Sequence, residues 1–293
     1  MKKIIATIWV SKIDSLLALY DNTYSMTTNL KSKELTTKLN FEMGGIAKGD
    51  HLLVLHGWGM NASVWQGVAA DLEQHFQVMW LDLPGHGVNH KVQANDLATI
   101  VAMILPLLKQ RTHLMGWSLG GLIAQEMVRQ RPDLIKRVIM VATTPRFSQT
   151  EHWNNAMPNA LLATFADGLA NDLQGTLKRF IALQFMGIKN SQVIQRQLRV
   201  AILANQPNQI ALQVGLEILQ QQDFINLKMA QQQLWILGEK DRLVPVEVKM
   251  ELAKLYPDAV IEVIKKAGHA PFMTHPKFFI ERVLHFLNGT THA

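Results

Sequence analysis

The stretch Thr112-His113-Leu114-Met115-Gly116-Trp117-Ser118-Leu119-Gly120 joins an apolar run to the pattern Gly-x-Ser-x-Gly. The apolar residues 112–115 predict a buried strand, and the amphipathic period over Leu119–Gln130 predicts a helix. A serine between the two would lie on a sharp, strained turn, with glycines where larger side chains would collide. We therefore predict that Ser118 is a nucleophile presented at the carboxyl end of a strand. The alternative is a glycine-rich turn that serves close packing alone.

Short apolar runs alternate with helical periods on both sides of this turn. The runs that predict buried strands are Leu52–Leu55, Val78–Leu81, His113–Met115, Val138–Ala142, Leu234–Leu237 and Val260–Ile264. The helical periods are Ala62–His75, Asn95–Lys109, Leu119–Gln130, Val246–Leu255 and Pro276–Leu287. Strands that alternate with helices predict βαβ units, and hence an α/β fold with a mostly parallel central sheet and helices on both faces. An edge strand is also expected near Lys38–Glu42, with a turn at Gly44-Gly45.

The alternation stops between residues 146 and 230, where no strand-like run occurs. Four helical periods fill this stretch: Ala156–Leu173, Thr176–Met186, Ser191–Ala204 and Gln209–Gln221. The strand pattern resumes at Leu234. We therefore expect residues 146–230 to form a helical lid inserted into a core made of residues 38–145 and 231–293.

Residues 1–37 lack the patterned apolar surface of the rest of the chain and are expected to be a flexible leader. Lys2-Lys3 and the apolar run Ile4–Val10 imitate a signal peptide, but Ser11-Lys12 interrupts the run and no small-x-small cleavage site follows. Met26 is an alternative first residue. We expect a cytoplasmic protein, with export as the alternative.

The composition excludes several classes of function. The 293 residues are 48% hydrophobic and contain no cysteine, which excludes disulfides, thiolate metal sites and a cysteine nucleophile. The net charge of +6 is not gathered into lysine and arginine runs, and aromatic residues are only 7%, so nucleic acid is not an expected partner. No stretch approaches the ~18–20 apolar residues of a membrane span. Because phosphate-loop, dinucleotide and His-Glu-x-x-His motifs are also missing from the sequence, we expect no cofactor and no metal. We also expect a monomer without a membrane partner.

A serine hydroxyl needs a base that takes its proton and an acid that orients the base. In chains built around this kind of turn, the acid and then the histidine follow the serine. His269 lies in a loop between the last strand and the last helix, and His275 is its competitor. Asp241 lies in the loop after the penultimate strand, with Glu239 as the runner-up. The alternative for Asp241 is that it only caps the helix that follows.

The negative charge that develops during acyl transfer needs backbone donors. We expect one from the N–H of Leu119 and the other from the N–H of Trp58, in the loop His56-Gly57-Trp58-Gly59. His56 is expected to buttress this loop. Trp58 and Trp117 lie in two loops that flank the serine, and we expect them to line a pocket for an acyl chain. The alternative is that both are ordinary core tryptophans.

These motifs together resemble the α/β-hydrolase family, and within it the esterases that act on the methyl ester of pimeloyl-acyl-carrier protein in biotin synthesis. The resemblance covers roughly residues 40–290. It is carried by Leu55-His56-Gly57-Trp58-Gly59-Met60-Asn61, Asp82-Leu83-Pro84-Gly85, Gly116-Trp117-Ser118-Leu119-Gly120-Gly121-Leu122 and Ala270-Pro271-Phe272. More specific are two segments of the expected lid, Arg179-Phe180-Ile181-Ala182-Leu183-Gln184-Phe185-Met186-Gly187 and Gly215-Leu216-Glu217-Ile218-Leu219.

The resemblance implies a role for each matching residue. Ser118 is implied as the nucleophile, with Asp241 and His269 as its partners, and Trp58 and Leu119 as contacts of the substrate and the oxyanion. The segment implied to line the acyl site consists of Phe180, Ile181, Ala182, Leu183 and Gln184.

The resemblance also implies that lid arginines hold an acidic acyl-carrier protein. Arg179 and Arg196 match the family pattern, whereas Gly175 and Gln192 stand where two further basic residues are expected. Lys178, Lys189 and Arg199 are possible substitutes for them. The segment 172–199 holds these five basic residues against one acidic residue, which suits an acidic partner. The alternative is a solvated helical face.

The sequence thus predicts a serine carboxylesterase that hydrolyses the methyl ester of a pimeloyl chain on its carrier protein. Three alternatives remain open at this point. They are another small-ester or lactone hydrolase of the same fold, an acyltransferase with the same three residues, and a binding module without activity.

Overall fold

The computed structural model describes residues 38–289. Within them, seven strands form one sheet in the order β1-β3-β2-β4-β5-β6-β7, with β1 antiparallel to β3 and all other neighbours parallel. The strands are β1 Phe41–Gly45, β2 His51–Leu55, β3 Gln77–Leu81, β4 Thr112–Trp117, β5 Ile135–Val141, β6 Gln232–Gly238 and β7 Val260–Ile264. The predicted α/β fold with a mostly parallel sheet is confirmed.

Helices cover both faces of the sheet, as the crossover connections of a parallel sheet require. The helices of the described residues are α1 Gln66–Glu73, α2 Leu97–Ile104, α3 Leu119–Gln130, α4 Asn159–Asn171, α5 Leu173–Gln184, α6 Gln192–Ala204, α7 Gln209–Gln221, α8 Lys249–Leu255, α9 Pro271–Thr274 and α10 Pro276–Asn288. Within the described residues, no helix is both long enough and apolar enough to cross a membrane.

The sheet is buried along its centre because apolar residues dominate its middle strands. All residues of β4 are buried, and Leu53 in β2 pairs with Leu114 on one side and Met79 on the other. Strands buried on both faces are read as continuous apolar runs in the sequence. This is why the middle strands could be predicted from hydrophobicity alone.

Several element ends differ from the sequence prediction for local reasons. The expected helix Ala62–His75 begins as a 3₁₀ turn over Ala62–Trp65, which Asn61 caps by accepting from the Ser63 N–H. The period Asn95–Lys109 leaves the α-helix at Ile104, because Pro106 cannot donate to a helical hydrogen bond.

The edge strand β1 lies later in the chain than the sequence predicted. Gly44 and Gly45 were expected to turn, but they pair with Val78 and Gln77 as part of β1. A Cβ atom at Gly45 would lie 2.1 Å from the Phe76 carbonyl oxygen, and Gly45 has φ 86°. Glycine at this position therefore permits close backbone approach at the end of β1.

Four helices, α4 to α7, lie between β5 and β6. We call residues 146–230, which contain them, the helical insertion. Residues 38–145 and 231–289 supply the whole sheet. The expected leader over residues 1–37 lies outside the described residues, as do residues 290–293. The loops that follow β2, β4, β6 and β7 leave the same edge of the sheet, because these strands are parallel, and this edge carries the candidate site.

Candidate active site

Ser118 occupies a strained turn between β4 and α3. Its backbone angles are φ 55° and ψ −117°, a conformation that non-glycine residues rarely adopt. A Cβ atom at Gly116 would lie 2.3 Å from the Gly120 carbonyl oxygen, and one at Gly120 would lie 2.7 Å from the His56 carbonyl oxygen. Both glycines of the motif are therefore required by close backbone approach.

Two hydrogen bonds hold this turn from the neighbouring strand. The Ser118 N–H donates to the Val141 carbonyl at 3.0 Å. The Thr143 hydroxyl donates to the Ser118 carbonyl at 2.8 Å, and Thr143 is fully buried. The sequence analysis missed Thr143, since no local pattern links a residue after β5 to a turn after β4.

The structure brings Ser118, His269 and Asp241 together in one chain of hydrogen bonds. Ser118 Oγ lies 2.9 Å from His269 Nε2, and His269 Nδ1 lies 2.7 Å from Asp241 Oδ2. The side chains of His269 and Asp241 are fully buried. With Nδ1 donating its proton to the carboxylate, Nε2 carries the lone pair that can accept the serine proton.

The geometry distinguishes Asp241 from Glu239. Asp241 Oδ1 accepts the N–H groups of Leu243 and Val244 at 2.8 and 3.0 Å, which leaves Oδ2 for His269. The aspartate therefore fastens its own loop and also orients the imidazole. Glu239 is exposed and accepts the Lys266 N–H at 2.8 Å instead.

His275, the competitor of His269, does not meet the serine. Its Nδ1 lies 2.9 Å from the Thr274 hydroxyl. Burial lowers the pKa of its imidazole, with a further contribution from the charge of Lys266.

The loop after β2 passes directly beside the serine. A Cβ atom at Gly57 would lie 3.2 Å from Ser118 Cβ, so glycine lets the backbone reach the nucleophile. Among residues 38–289, the N–H groups of Trp58 and Leu119 donate to no other group. Two free donors next to a serine suit an oxyanion.

His56 has the buttressing role that the sequence predicted. Its Nδ1 donates to the Gly57 carbonyl at 2.9 Å, and its Nε2 accepts the Leu83 N–H at 2.9 Å. Burial lowers the pKa of His56 to about 4, so the ring stays neutral and Nε2 remains an acceptor. The ring thereby links two loops at this edge of the sheet.

The two tryptophans lie in different surroundings. Trp58 meets the edge of Phe180 at a centroid distance of 4.8 Å, and its indole N–H donates to the Leu212 carbonyl. Trp117 packs instead against Trp65 and Phe272, and its indole N–H donates to the His269 carbonyl at 2.7 Å. Trp58 thus fits the predicted pocket wall, whereas Trp117 fits the alternative of a core residue.

Helix α5 turns one face toward Trp58 and the serine. Leu177, Phe180, Ile181 and Gln184 are buried on this face, whereas Ala182 is exposed and Leu183 is half-buried. Helical periodicity explains the difference, because only positions three or four residues apart share a face. Of the five residues implied for the acyl site, Ala182 is therefore not brought to the site.

Gln184 ends α5 beside the histidine. Its carbonyl accepts the His269 N–H at 3.2 Å. A Cβ atom at Gly268 would lie 2.6 Å from this carbonyl oxygen, so glycine before the histidine permits the contact. The Gln184 side chain is 1% exposed, and neither of its amide atoms has a hydrogen-bond partner among the described residues.

Helix α7 closes the site from another side. A Cβ atom at Gly215 would lie 2.7 Å from Trp58 Cδ1 and 3.1 Å from Leu119 Cδ2. This glycine lets the helix lie against both residues whose N–H groups are free. As a result of the cover from α5 and α7, Ser118 is only 3% exposed.

Comparison with known families agrees with this geometry. Residues 50–276 match the family described as having the alpha/beta hydrolase fold. The chain belongs to the α/β-hydrolase family. The sequence-based assignment of fold and family is confirmed, and the arrangement of Ser118, His269 and Asp241 at the carboxyl edge of the sheet of this α/β hydrolase follows the order serine, acid, histidine.

Two curated relatives of this α/β hydrolase carry the same name. The pimeloyl-[acyl-carrier protein] methyl ester esterase of Vibrio campbellii is 36% identical over 255 residues, which are 86% of this chain and 99% of the relative. The protein of that name from Pseudoalteromonas atlantica is 37% identical over 246 residues, 80% of this chain and 93% of the relative. Both matches extend through the helical insertion.

Solved structures show the same fold at lower identity. A bromoperoxidase from Bacillus anthracis has a TM-score of 0.77 at 22% identity and covers 85% of this chain and 94% of its own. The hydrolase olei00960 from Oleispira antarctica has a TM-score of 0.78 at 19% identity and covers 89% of this chain and 98% of its own.

Proposed function

We propose that this α/β hydrolase is a serine carboxylesterase that hydrolyses the methyl ester of pimeloyl-[acyl-carrier protein] in biotin synthesis. The observation that carries the reaction is the hydrogen-bonded chain from Ser118 through His269 to Asp241. The substrate is supported by curated relatives of that name, which are 34–37% identical along nearly their whole length.

The first half of the reaction forms an acyl-enzyme. His269 Nε2 takes the proton of Ser118, and Oγ attacks the carbonyl carbon of the methyl ester. The N–H groups of Leu119 and Trp58 stabilise the oxyanion of the tetrahedral intermediate. When the intermediate collapses, methoxide leaves with the proton from His269 as methanol, and the acyl group stays on Oγ.

The second half returns the free enzyme. A water molecule gives a proton to His269 and attacks the acyl carbon. Collapse of the second tetrahedral intermediate returns this proton to Ser118 Oγ and releases the carboxylic acid. Throughout, the Asp241 carboxylate keeps the proton of His269 on Nδ1 and stabilises the imidazolium.

The acyl chain is proposed to lie along the inner face of α5. Trp58, Phe165 and Phe180 form an aromatic cluster there, with centroid distances of 4.8 to 6.2 Å. An apolar wall suits the methylene groups of a pimeloyl chain. The unpartnered amide of Gln184 can pair with a polar group of the substrate, since a buried donor and acceptor left alone are costly.

The carrier protein is proposed to dock on the outer face of α6. Arg196 and Arg199 are exposed on this helix, next to Val193 and Val200, which are 67% and 64% exposed. Exposed apolar residues flanked by cations match a partner that is acidic and partly apolar.

Arg179, the other arginine matched to the family, is partly engaged on its own helix. It donates to the Thr176 hydroxyl at 2.8 Å and lies 3.7 Å from Asp172. Gly175, where the family pattern expects a basic residue, packs under the cap of α5, and a Cβ atom there would meet Asp172 Oδ2 at 1.8 Å. We therefore assign more of the docking to α6 than to α5.

The decisive experiment is incubation with methyl pimeloyl-carrier protein and a mass readout. The proposal expects the carrier-linked chain to lose the mass of one CH₂ group and methanol to appear, with no reaction by the Ser118→Ala variant. Turnover of a short p-nitrophenyl ester without reaction of the carrier-linked substrate would instead indicate another small-ester hydrolase. Transfer of the acyl group to an added alcohol or thiol, without free acid, would indicate an acyltransferase. Action in the cytoplasm and as a monomer stays a prediction.

A further inference from the structure

The main chain of His269 is held at both of its polar groups. Its N–H donates to the Gln184 carbonyl of the helical insertion at 3.2 Å. Its carbonyl accepts the indole N–H of Trp117 at 2.7 Å. Trp117 immediately precedes Ser118 in the chain, so one residue contacts the base and is bonded to the nucleophile.

The indole of Trp117 is rigidly packed. It is 1% exposed, and it meets the edges of Trp65 and Phe272 at centroid distances of 6.3 and 5.1 Å. Trp65 and Phe272 are themselves stacked at 4.0 Å. An indole has a single donor, and at 2.7 Å this bond lies at the short end of the normal range. The His269 carbonyl thus accepts from a donor whose ring is held on two sides.

The loop that carries His269 has few other attachments near the histidine. The Lys240 N–H donates to the Ala267 carbonyl at 2.8 Å, and the Lys266 N–H donates to Glu239. These bonds fix the loop at the end of β7. At His269 itself, the two main-chain hydrogen bonds come from Gln184 of the insertion and from Trp117 at the end of β4.

We propose that Trp117 is a positioning residue that sets the distance between His269 Nε2 and Ser118 Oγ through its bond to the His269 carbonyl. The proposal rests on the role of His269 as the base. It does not rest on the identity of the ester, because every acyl transfer at Ser118 requires the same proton transfer. A short p-nitrophenyl ester is therefore a sufficient substrate for the test.

The test compares two Trp→Phe variants that each lose one buried indole hydrogen bond. Trp117→Phe removes the bond to His269. Trp153→Phe is the matched control, because the Trp153 indole is buried and donates to the Arg146 carbonyl at 2.9 Å, a group that makes no hydrogen bond to His269 within the described residues. A small displacement of a reacting group costs up to about 100-fold in rate. We expect Trp117→Phe to lower kcat about 10- to 100-fold with KM nearly unchanged, and Trp153→Phe to leave both constants unchanged.

A second background separates positioning from a structural role. If Trp117 acts through His269, then adding Trp117→Phe to His269→Ala should not lower the residual turnover further. A spectroscopic readout is the downfield proton resonance of the His269 Nδ1–H in its bond to Asp241. This resonance should weaken or shift in Trp117→Phe and stay unchanged in Trp153→Phe.

Three results would overturn the proposal. The first is an equal loss of kcat in both Trp→Phe variants, and the second is an undiminished effect of Trp117→Phe in the His269→Ala background. The third concerns an isostere: if Trp117→Phe does not fold, 3-benzothienylalanine at position 117 keeps the ring shape and lacks the N–H, and wild-type kcat with this residue would refute the role. Failure of the wild type on methyl pimeloyl-carrier protein would contradict only the proposed substrate.

Discussion

At Ser118 the chain adopts φ 55° and ψ −117°, which costs of order 1–3 kcal/mol for a residue other than glycine. Hydrogen bonds from Thr143 and to Val141 hold the turn in this conformation. In this conformation the Ser118 hydroxyl projects away from its own backbone and toward the His269 imidazole. The serine is thus positioned for proton transfer before any substrate arrives.

The three residues of the hydrogen-bonded chain should behave as a unit. We expect Ser118→Ala and His269→Ala each to lower ester turnover by several orders of magnitude, and the double variant to be hardly worse than either one. Steady-state kinetics on a short ester is the measurement. Asp241→Asn should be severely impaired and Glu239→Gln nearly normal, and the opposite result would assign the acid to Glu239.

Gly57 offers a test of the predicted oxyanion donors. A Cβ atom at Gly57 would lie 3.2 Å from both Ser118 Cβ and Trp117 Cε3, so we expect Gly57→Ala to displace the loop from the serine by a few tenths of an ångström. Because loss of an oxyanion donor costs about 10²–10³ in kcat, we expect a partial displacement to cost about 10- to 100-fold. The matched control is Gly67→Ala, since among the described residues a Cβ there meets open space beyond its own helix backbone and chain neighbours. Equal activity of the two variants would remove Trp58 as a donor.

The sequence predicted the position of a site residue where that residue directly follows a strand. Ser118, Asp241 and His269 each follow a recognisable apolar run, and parallel strands bring their carboxyl ends together. The bonds from Trp117 to His269 and from Thr143 to Ser118 join residues 152 and 25 positions apart. Such contacts depend on tertiary packing and have no local signal, so Trp117 was expected to line the acyl pocket.

Among the elements, α6 is the one that an acidic partner would meet. Its inner side buries only Leu198 and Ile202, while Arg196, Arg199, Val193 and Val200 remain exposed. A helix with two buried residues leaves most of its surface facing outward. It therefore offers a surface whose side chains are free for a partner.

Charge reversal on α6 should separate the carrier-linked substrate from a free ester. We expect the double variant Arg196→Glu/Arg199→Glu to lose most of its kcat/KM for methyl pimeloyl-carrier protein, because rim charges act mainly on association rate and orientation. A short p-nitrophenyl ester should be almost unaffected. Raising salt should shrink the wild-type preference, since screening acts within about 8–10 Å.

The control carries the same charge change on another helix, as Lys249→Glu/Lys254→Glu on the exposed side of α8. If this control loses the carrier-linked activity equally, net charge and not the α6 surface governs docking. If the α6 variant loses both substrates, its arginines support the fold of the insertion.

The element ends show what hydrophobic periodicity can resolve. The bounds of α3, α7 and β7 were predicted as they are observed. The 3₁₀ turns at Ala62–Trp65 and Leu105–Leu107 have the same apolar period as a helix, so their limits depend on a cap and a proline. The course of α5 past the active site was not predictable, because the packing of the insertion on the core involves side chains from both.

On the scale of the whole molecule, buried neutral histidines connect stability to pH. Burial lowers the pKa of His86 to about 3 and of His56 to about 4. Their rings lie 5.1 Å apart, so protonation of one disfavours protonation of the other. In the unfolded chain each would titrate near its ordinary value of about 6.5.

We expect stability to fall as the pH drops below about 6.5. In that range the unfolded chain binds more protons than the folded one, so the free energy of unfolding decreases, by up to about 1.4 kcal/mol per pH unit for each buried histidine. Urea unfolding at pH 7 and pH 5 measures the slope. The His86→Asn variant, whose amide can still donate to the Pro84 carbonyl, should show a smaller decrease in the free energy of unfolding between pH 7 and pH 5. The control His152→Asn changes an exposed histidine and should leave this decrease unchanged. An unchanged slope in His86→Asn would contradict a neutral buried ring.

The cover over Ser118 has a kinetic consequence. Because Ser118 is only 3% exposed, we expect a reagent to reach it only when the chain around it moves aside. A fluorophosphonate that modifies the serine should therefore show a rate that levels off as its concentration rises. Reagents of different intrinsic reactivity should approach the same maximal rate of modification, which equals the rate at which the cover opens. Between openings, esters in solution would not reach Ser118. A substrate held by a bound carrier protein would be at the site whenever the cover opens, and would therefore react more often than a free ester.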